Sequence, residues 1–400
     1  MKAATTPLYI CLRATYRHSR VQCSGRYQLR AELEVPTMKS VVSATDTLFQ
    51  KTRKDGVLPR SHVYKVSRLL LHGRQRPLAA AMSTVSDPSI PLLKKDSPAK
   101  AKPMWKLYLE LSRLHVWPGG TNLFFLPCVW GYLLASRNNP PQADTLIRHF
   151  VLLLGFSTLI GSATCVINDI CDRELDRLVE RCKTRPIASG AVSVFGATVF
   201  LLVQVGLCVW ILTMLNPTAM ICGLFGLFVF HGFYPLMKRL TNWPQAYLGL
   251  AMNWGLPTTW LIIAPQDVSS PVPWVLTFGA LCWTMVYDTI YACQDREDDI
   301  KAGVKSTAVL FGSWIRPILA VFGIMFIATL VYTGIETNMT LPYYVIGVAG
   351  TALHTLWQVT TFDPNDGLDC AMKFVGNGNL ALIYTVGLIA AIYMPDLFKF

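Results

Sequence analysis

Charged side chains are scarce in this sequence. Asp, Glu, Lys and Arg make up 15% of the 400 residues against 52% hydrophobic ones, too little charge to cover a soluble globule of this size. The apolar runs lack the alternation of half-buried strands, which argues against a transmembrane β-barrel. The eleven cysteines are scattered, many within apolar runs, and lack paired C-x-x-C spacing. That excludes a disulfide framework or zinc site and leaves them as small buried hydrophobes.

What is present is a series of long, nearly continuous apolar runs. Nine of them, at about 120–136, 149–167, 193–215, 218–235, 244–264, 273–292, 317–333, 341–361 and 378–395, have roughly membrane-spanning length. The expected fold is therefore all-α, a polytopic integral membrane protein. Lys and Arg concentrate in the connections after the even-numbered runs, from Arg173 to Arg185, at Lys238 and Arg239, from Arg296 to Arg316 and at Lys373. The positive-inside rule places those connections, and the N-terminal tail with them, on the cytoplasmic or matrix side.

The tail is a different material. Residues 1–81 hold fifteen Lys or Arg against four acids, which accounts for +11 of the net charge of +12. The basic pI thus belongs to the tail and does not argue for nucleic-acid binding by the rest. No acid precedes Glu32, as in a mitochondrial presequence. Met82 opens a second start-like segment, so an upstream extension without structure is an equal reading. The expected division is a basic, largely disordered tail over 1–102 and a transmembrane domain over 103–400, opened by the amphipathic stretch "PMWKLYLELSRLHVW".

The stretch "NDICDRELDRLVERCKTRP" follows the second run. On a helix, Asn168, Asp172 and Asp176 stand at i, i+4 and i+8 and stack three hard oxygen donors on one face, a pattern that suits Mg2+. Asp169 lies off that stripe, as an acceptor behind it or a cap. A helix end decorated with solvated i,i+4 charge pairs is the bland alternative. A second acidic stretch, "YDTIYACQDREDDIKAGVKST", ends the sixth run and repeats the spacing at Asp295 and Asp299, with Asp298 beside them and Asp288 and Tyr291 on earlier turns. Asp288 lies inside the apolar run, where an ionised group costs several kcal/mol and needs a partner or a task. Both stretches follow even-numbered runs, so topology puts them at the same end.

Basic residues surround the acids. Arg181, Lys183 and Arg185 follow the first cluster, Lys238 and Arg239 end the fourth run, and Lys301 and Lys305 follow the second cluster. Divalent metal bridging to phosphate oxygens, with Arg and Lys taking the remaining charge, is the chemistry of diphosphate binding. Positive-inside bias alone would supply part of this set. The combination favours a diphosphate whose other end is apolar and lies in the bilayer.

The segments "NDICDRELDRLVERCKTRPIASG", "YPLMKRLTNWPQ", "LAMNWG", "YDTIYACQDREDDIKAGVKSTA" and "DPNDGLDCAMKF" resemble, in order, the signature segments of UbiA-type intramembrane aromatic prenyltransferases. That family includes 4-hydroxybenzoate polyprenyltransferases and fungal enzymes that prenylate phenolic polyketides. The resemblance covers about residues 105–395. It implies a nine-helix bundle around a central cavity capped by polar loops, and Mg2+-dependent transfer of a prenyl group from its diphosphate to an aromatic ring. It assigns Asn168, Asp172, Asp176, Asp295 and Asp299 to the metal. Arg181, Arg185, Lys238 and Lys305 fall to the diphosphate, Arg239 to a catalytic basic position, and Asp288 and Tyr291 to positioning the phenol, with helix–helix hydrogen bonding as the alternative for those two.

One segment departs from the pattern. The ubiquinone-pathway enzymes approach the first span with a segment resembling R-x-D-K-P-x-G-T, whereas this chain reads "SRLHVWPGGTN", with Arg113 set further from Pro118 and Val116 and Trp117 in place of Asp and Lys. The departure turns the expectation from 4-hydroxybenzoate towards a phenolic polyketide acid as acceptor, with farnesyl diphosphate as donor, in meroterpenoid biosynthesis. Ubiquinone biosynthesis is the first alternative. An ion-relay transporter and a phosphatidyltransferase are distant ones, because the first does not call for two Asp stripes flanked by phosphate-binding cations and the second expects a single Gly- and Ala-containing Asp motif that this sequence lacks. No obligatory protein partner is expected. Initiation near Met82 would place the chain in the ER or Golgi membranes, and a used presequence in the mitochondrial inner membrane.

Overall fold

The computed structural model describes residues 102–118 and 120–398. These belong to one compact unit, Pro98–Phe400, and the tail expectation lies outside them except for Lys102. Among the described residues all regular structure is helical.

Six helices are long and apolar enough to cross a membrane. They are α3 (Ala143–Asp176), α4 (Val194–Leu212), α5 (Pro217–Leu240, with a π-helical turn at Gly226–His231), α8 (Pro271–Ala292, continuing through a 3-10 turn at Cys293–Asp295 into α9, Arg296–Ala302), α11 (Ile315–Glu336, preceded by α10, Thr307–Phe311) and α13 (Gly367–Tyr393). Each falls on one of the nine expected runs. The other three runs fall on shorter or interrupted helices: α2 (Asn122–Ala135), the abutting pair α6 (Pro244–Asn253) and α7 (Gly255–Ile263), and α12 (Ala349–Thr361), which continues a π-helical turn over Tyr343–Val348. The amphipathic α1 (Met104–Leu111) buries Leu107 and Leu111 and leaves Trp105 exposed.

The sequence marks several helix starts. Ser193 and Asn216 accept from the backbone N–H groups of Gly196 and Ala219, and Asp366 accepts from those of Leu368 and Asp369. Pro217, Pro244 and Pro271 occupy first turns, where the missing N–H costs nothing.

Helices α2, α6, α7, α8, α11 and α13 pack on one another around an aromatic core. There Trp130 meets the ring of Tyr384 edge-on at 4.9 Å and donates to Thr385 Oγ1 at 2.9 Å, so its N–H is satisfied away from water. Small residues permit close helix approach. A Cβ at Gly131 would collide with the Leu256 carbonyl oxygen, and one at Gly279 with Thr329 Oγ1. Outward faces carry exposed Phe195, Leu202 and Trp210 on α4 and Ile324 and Ile335 on α11, a surface suited to lipid. The protein is an integral membrane protein.

At 34 residues α3 is about 51 Å long at 1.5 Å per residue, well beyond the ~30 Å hydrocarbon layer. Its last turns, which carry the first acidic stretch, therefore reach past the apolar zone.

Candidate active site

Asn168, Asp172 and Asp176 all lie on α3, as expected, and Asp169, Asp172 and Asp176 are buried. Burial of three carboxylates demands compensation, and cations from three other segments provide it. Arg113, before α2, donates through Nη2 to both oxygens of Asp169 at 2.8 and 3.0 Å. Arg185, in the loop after α3, donates through Nη1 to Asp169 at 3.2 Å and to both oxygens of Asp176 at 3.0 and 2.9 Å. Lys238, near the end of α5, donates to Asp172 Oδ2 at 3.1 Å. The Oδ1 atoms of Asn168 and Asp172 are buried with no hydrogen-bond partner.

The second stretch reaches the same place. Asp288 and Tyr291 lie on α8, Asp295 closes the 3-10 turn, and Asp299 sits on α9. The expected single helical face is thus re-aimed by a tightened turn between Tyr291 and Asp299. Arg181, from the loop after α3, reaches across to the second stretch, donating from Nε and Nη2 to the oxygens of Asp295 at 3.0 and 2.5 Å and from Nη1 to the Tyr291 hydroxyl at 3.0 Å. Its guanidinium also lies 5.3 Å from the centroid of the Tyr291 ring, which packs on Phe374. Burial acts to lower the pKa of Arg181, but the Asp295 carboxylate outweighs it and holds the guanidinium above its ordinary value. Arg185 behaves likewise, with Asp169 and Asp176 outweighing burial. Both cations stay charged.

Lys238 stands between the clusters. Besides its ion pair with Asp172, its charge acts on Asp288 and on buried Asp299. The backbone N–H of Lys305 donates to the Lys238 carbonyl at 3.3 Å, which ties the segment after α9 to the end of α5. Among the described residues no hydrogen bond or ion pair meets the Asp288 carboxylate.

Some expected residues stand apart. Exposed Arg239 donates to the Cys171 carbonyl at 2.6 Å rather than to a carboxylate. Asp298 pairs with Lys301 at 3.3 Å, and Lys183 with Glu180 at 2.7 Å, both at the surface. Two participants escaped the sequence reading. Arg113 reaches Asp169 across 56 positions, and no local spacing announces that. Tyr234 lies close enough to Lys238, Asp172 and Asp288 for their charges to act on it, and its one signal is the i,i+4 spacing to Lys238 in "YPLMK".

The donor chemistry fits Mg2+, because two hard oxygens, on Asn168 and Asp172, are buried and unpartnered on successive turns. Among the described residues, however, no three His, Cys, Asp or Glu side chains already converge as a metal cage. The carboxylates are held by the chain's own cations instead.

A sequence model of the UbiA prenyltransferase family matches residues 124–384. The chain is 42% identical over 275 residues to the UbiA prenyltransferase claS of Ampulloclitocybe clavipes, a span of 68% of this chain and 85% of that one. It is 38% identical over 302 residues to the mitochondrial 4-hydroxybenzoate polyprenyltransferase of Caenorhabditis elegans, covering 75% and 83% of the two chains. Its fold is similar to that of a UbiA homologue from Archaeoglobus fulgidus bound to DMAPP and Mg2+, with a TM-score of 0.54 and 21% identity over 72% of this chain and 99% of that one.

Proposed function

Because this chain belongs to the UbiA prenyltransferase family, we propose that it transfers a farnesyl group from its diphosphate to an aromatic carbon of a phenolic polyketide acid. The observation that carries the chemistry is the meeting of both acidic stretches around Lys238, with Arg181 spanning them. Asn168, Asp172, Asp176, Asp295 and Asp299 would hold Mg2+, which supplies electrostatic stabilisation of the charge on the departing diphosphate. Arg181, Arg185, Lys238 and Lys305 take diphosphate oxygens, the first three exchanging carboxylate partners for phosphate ones. The C1–O bond of the donor breaks, a ring carbon forms the new C–C bond, and the ring proton leaves to a carboxylate or to the released diphosphate. The apolar surroundings keep water from the allylic cation. Asp288 and Tyr291 orient the phenol from the inner side of α8. Arg239 serves indirectly, through its hold on the last turns of α3. The transporter and phosphatidyltransferase readings fall away with the family.

The acceptor rests on the approach segment. Val116 and Trp117 are exposed there, and neither offers a cation to a benzoate. A second reading, long-chain transfer to 4-hydroxybenzoate, is favoured by the mitochondrial relative from Caenorhabditis elegans. We read the whole as a nine-span bundle around a cavity, with α2, the α6–α7 pair and α12 with its π-helical turn completing the six long helices. The site faces the cytoplasm from an endomembrane, and the reaction belongs to meroterpenoid biosynthesis.

The test is a microsomal assay of the full chain with Mg2+, offering farnesyl and longer polyprenyl diphosphates against 4-hydroxybenzoate and an orsellinate-type phenol, with products identified by mass spectrometry. Farnesylation of the polyketide phenol alone is expected. Long-chain transfer to 4-hydroxybenzoate would replace this reading with the second one.

A further inference from the structure

We propose that Arg113 is a positioning residue for the diphosphate site, an inference that rests on the prenyl-transfer reading. The side chain is fixed from two directions. Nη2 grips both oxygens of Asp169 at 2.8 and 3.0 Å, while Nη1 donates to the carbonyls of Glu110 and Leu111 at 3.0 and 3.3 Å. The Arg113 backbone is left-handed, at φ 60, a region that costs a side-chain-bearing residue free energy and suits Gly or Asn better. The chain tolerates that strain at the position from which a guanidinium reaches Asp169.

The consequence runs through Arg185. One guanidinium nitrogen of Arg185 serves both Asp169, at 3.2 Å, and Asp176, at 3.0 and 2.9 Å. Asp169 is only 1% exposed, so as an ion it must be compensated by whatever cation is near. With Arg113 in place its charge is met, and Arg185 remains shared and available to turn towards a diphosphate. Without Arg113, Asp169 draws Arg185 wholly to itself, Asp176 loses its partner, and a cation is withdrawn from the diphosphate. Arg113 also ties the approach segment, on which the acceptor reading rests, to the last turns of α3.

The experiment measures equilibrium binding of farnesyl thiolodiphosphate, a poorly reactive donor analogue, to the purified full chain with and without Mg2+ and with no phenol present. Turnover then gives the KM of each substrate. Arg113→Gly removes the guanidinium and relaxes the backbone, so a loss of fold would not arise from φ, and Arg113→Asn is the alternative where glycine loosens the segment. Arg113→Gly is expected to weaken analogue binding roughly ten-fold or more, the scale of coupling between members of one salt-bridge network, with the KM of the phenol changed far less. Arg113→Lys, a point charge without the fork, should recover part of the loss. The decisive arm is the double variant Arg113→Gly with Asp169→Asn. It removes the Asp169 charge that would draw Arg185 away and leaves Arg185 on Asp176, so binding should return towards wild type. Wild-type affinity in Arg113→Gly, or a double variant weaker than Arg113→Gly, would overturn the proposal and leave Arg113 as fold support. Failure of the wild-type chain to bind the analogue in a Mg2+-dependent way would instead sink the prenyl-transfer reading itself.

Discussion

The two acidic clusters use the same residue types at the same spacing but are built differently. The first lies on an unbroken α-helix of 34 residues, its three carboxylates at most 8% exposed and held by cations from three separate segments. The second lies on a 3-10 turn and a seven-residue helix. The Asp295 carboxylate there is 18% exposed and Asp298 35% exposed, and among the described residues the one ion pair that ties the cluster to the first stretch is that of Arg181 with Asp295. A long packed helix keeps its side chains in place before any substrate arrives, whereas short helices with partly exposed polar contacts open at low cost. On the proposed reaction the first cluster is thus the preformed half of the site, and the second is the half that adjusts when a diphosphate draws Arg181 and Lys238 away from their carboxylates.

This difference sets the order of mutational effects. Asp172→Ala should be the most damaging substitution. It removes an unpartnered oxygen and strands Lys238 in a largely buried setting, a loss of about 3 kcal/mol, the lower end for a broken buried pair because Lys238 is partly exposed, before any lost metal contact is added. Turnover should fall about a thousand-fold, read as kcat/KM at saturating Mg2+ with membrane insertion confirmed. Asp295→Ala should cost nearer a hundred-fold, because Arg181 left behind is part-exposed and still has the Tyr291 hydroxyl. If Asp295→Ala proved the worse of the two, the preformed half would be the second cluster. Arg181→Lys keeps the charge and loses the fork, and should raise the KM of the prenyl diphosphate about ten-fold with a smaller change in kcat. Tyr291→Phe removes one acceptor and keeps the ring on Phe374, so about 1 kcal/mol, or roughly five-fold in kcat/KM, is the expected loss.

The first cluster was more legible in the sequence than the second for the same physical reason. Asn168, Asp172 and Asp176 sit on a regular helix, so 3.6-residue periodicity alone puts them on one face. Asp295 and Asp299 have the same spacing, but the 3-10 turn at Cys293–Asp295 separates them from Asp288 and Tyr291 on the preceding helix, and local periodicity does not foresee a tightened turn. The long apolar helices were legible because hydropathy reports them directly. α2, the α6–α7 pair and α12 were less so, because 14 residues, a break at Trp254 and a π-helical turn at Tyr343–Val348 interrupt helices whose hydropathy looks continuous. Arg113 stayed hidden because its partner comes from tertiary packing: the approach segment reads as a departure from a pattern, and only the fold shows its guanidinium on Asp169.

Asp298 sharpens the comparison from its weak end. It lies one residue from Asp299 in sequence, yet its carboxylate points to the surface, where Lys301 pairs with it at 3.3 Å in an i,i+3 contact that leaves the lysine 71% exposed. An ion pair in that setting is screened and contributes at most ~0.5 kcal/mol. Asp298→Asn should therefore change kcat/KM by less than about two-fold, while Asp299→Asn on the buried side of the same short helix should be severely impaired. A large loss in Asp298→Asn would mean that α9 rotates when substrate binds and brings the outer carboxylate inward, so the second cluster would adjust by turning its helix and not only by exchanging partners.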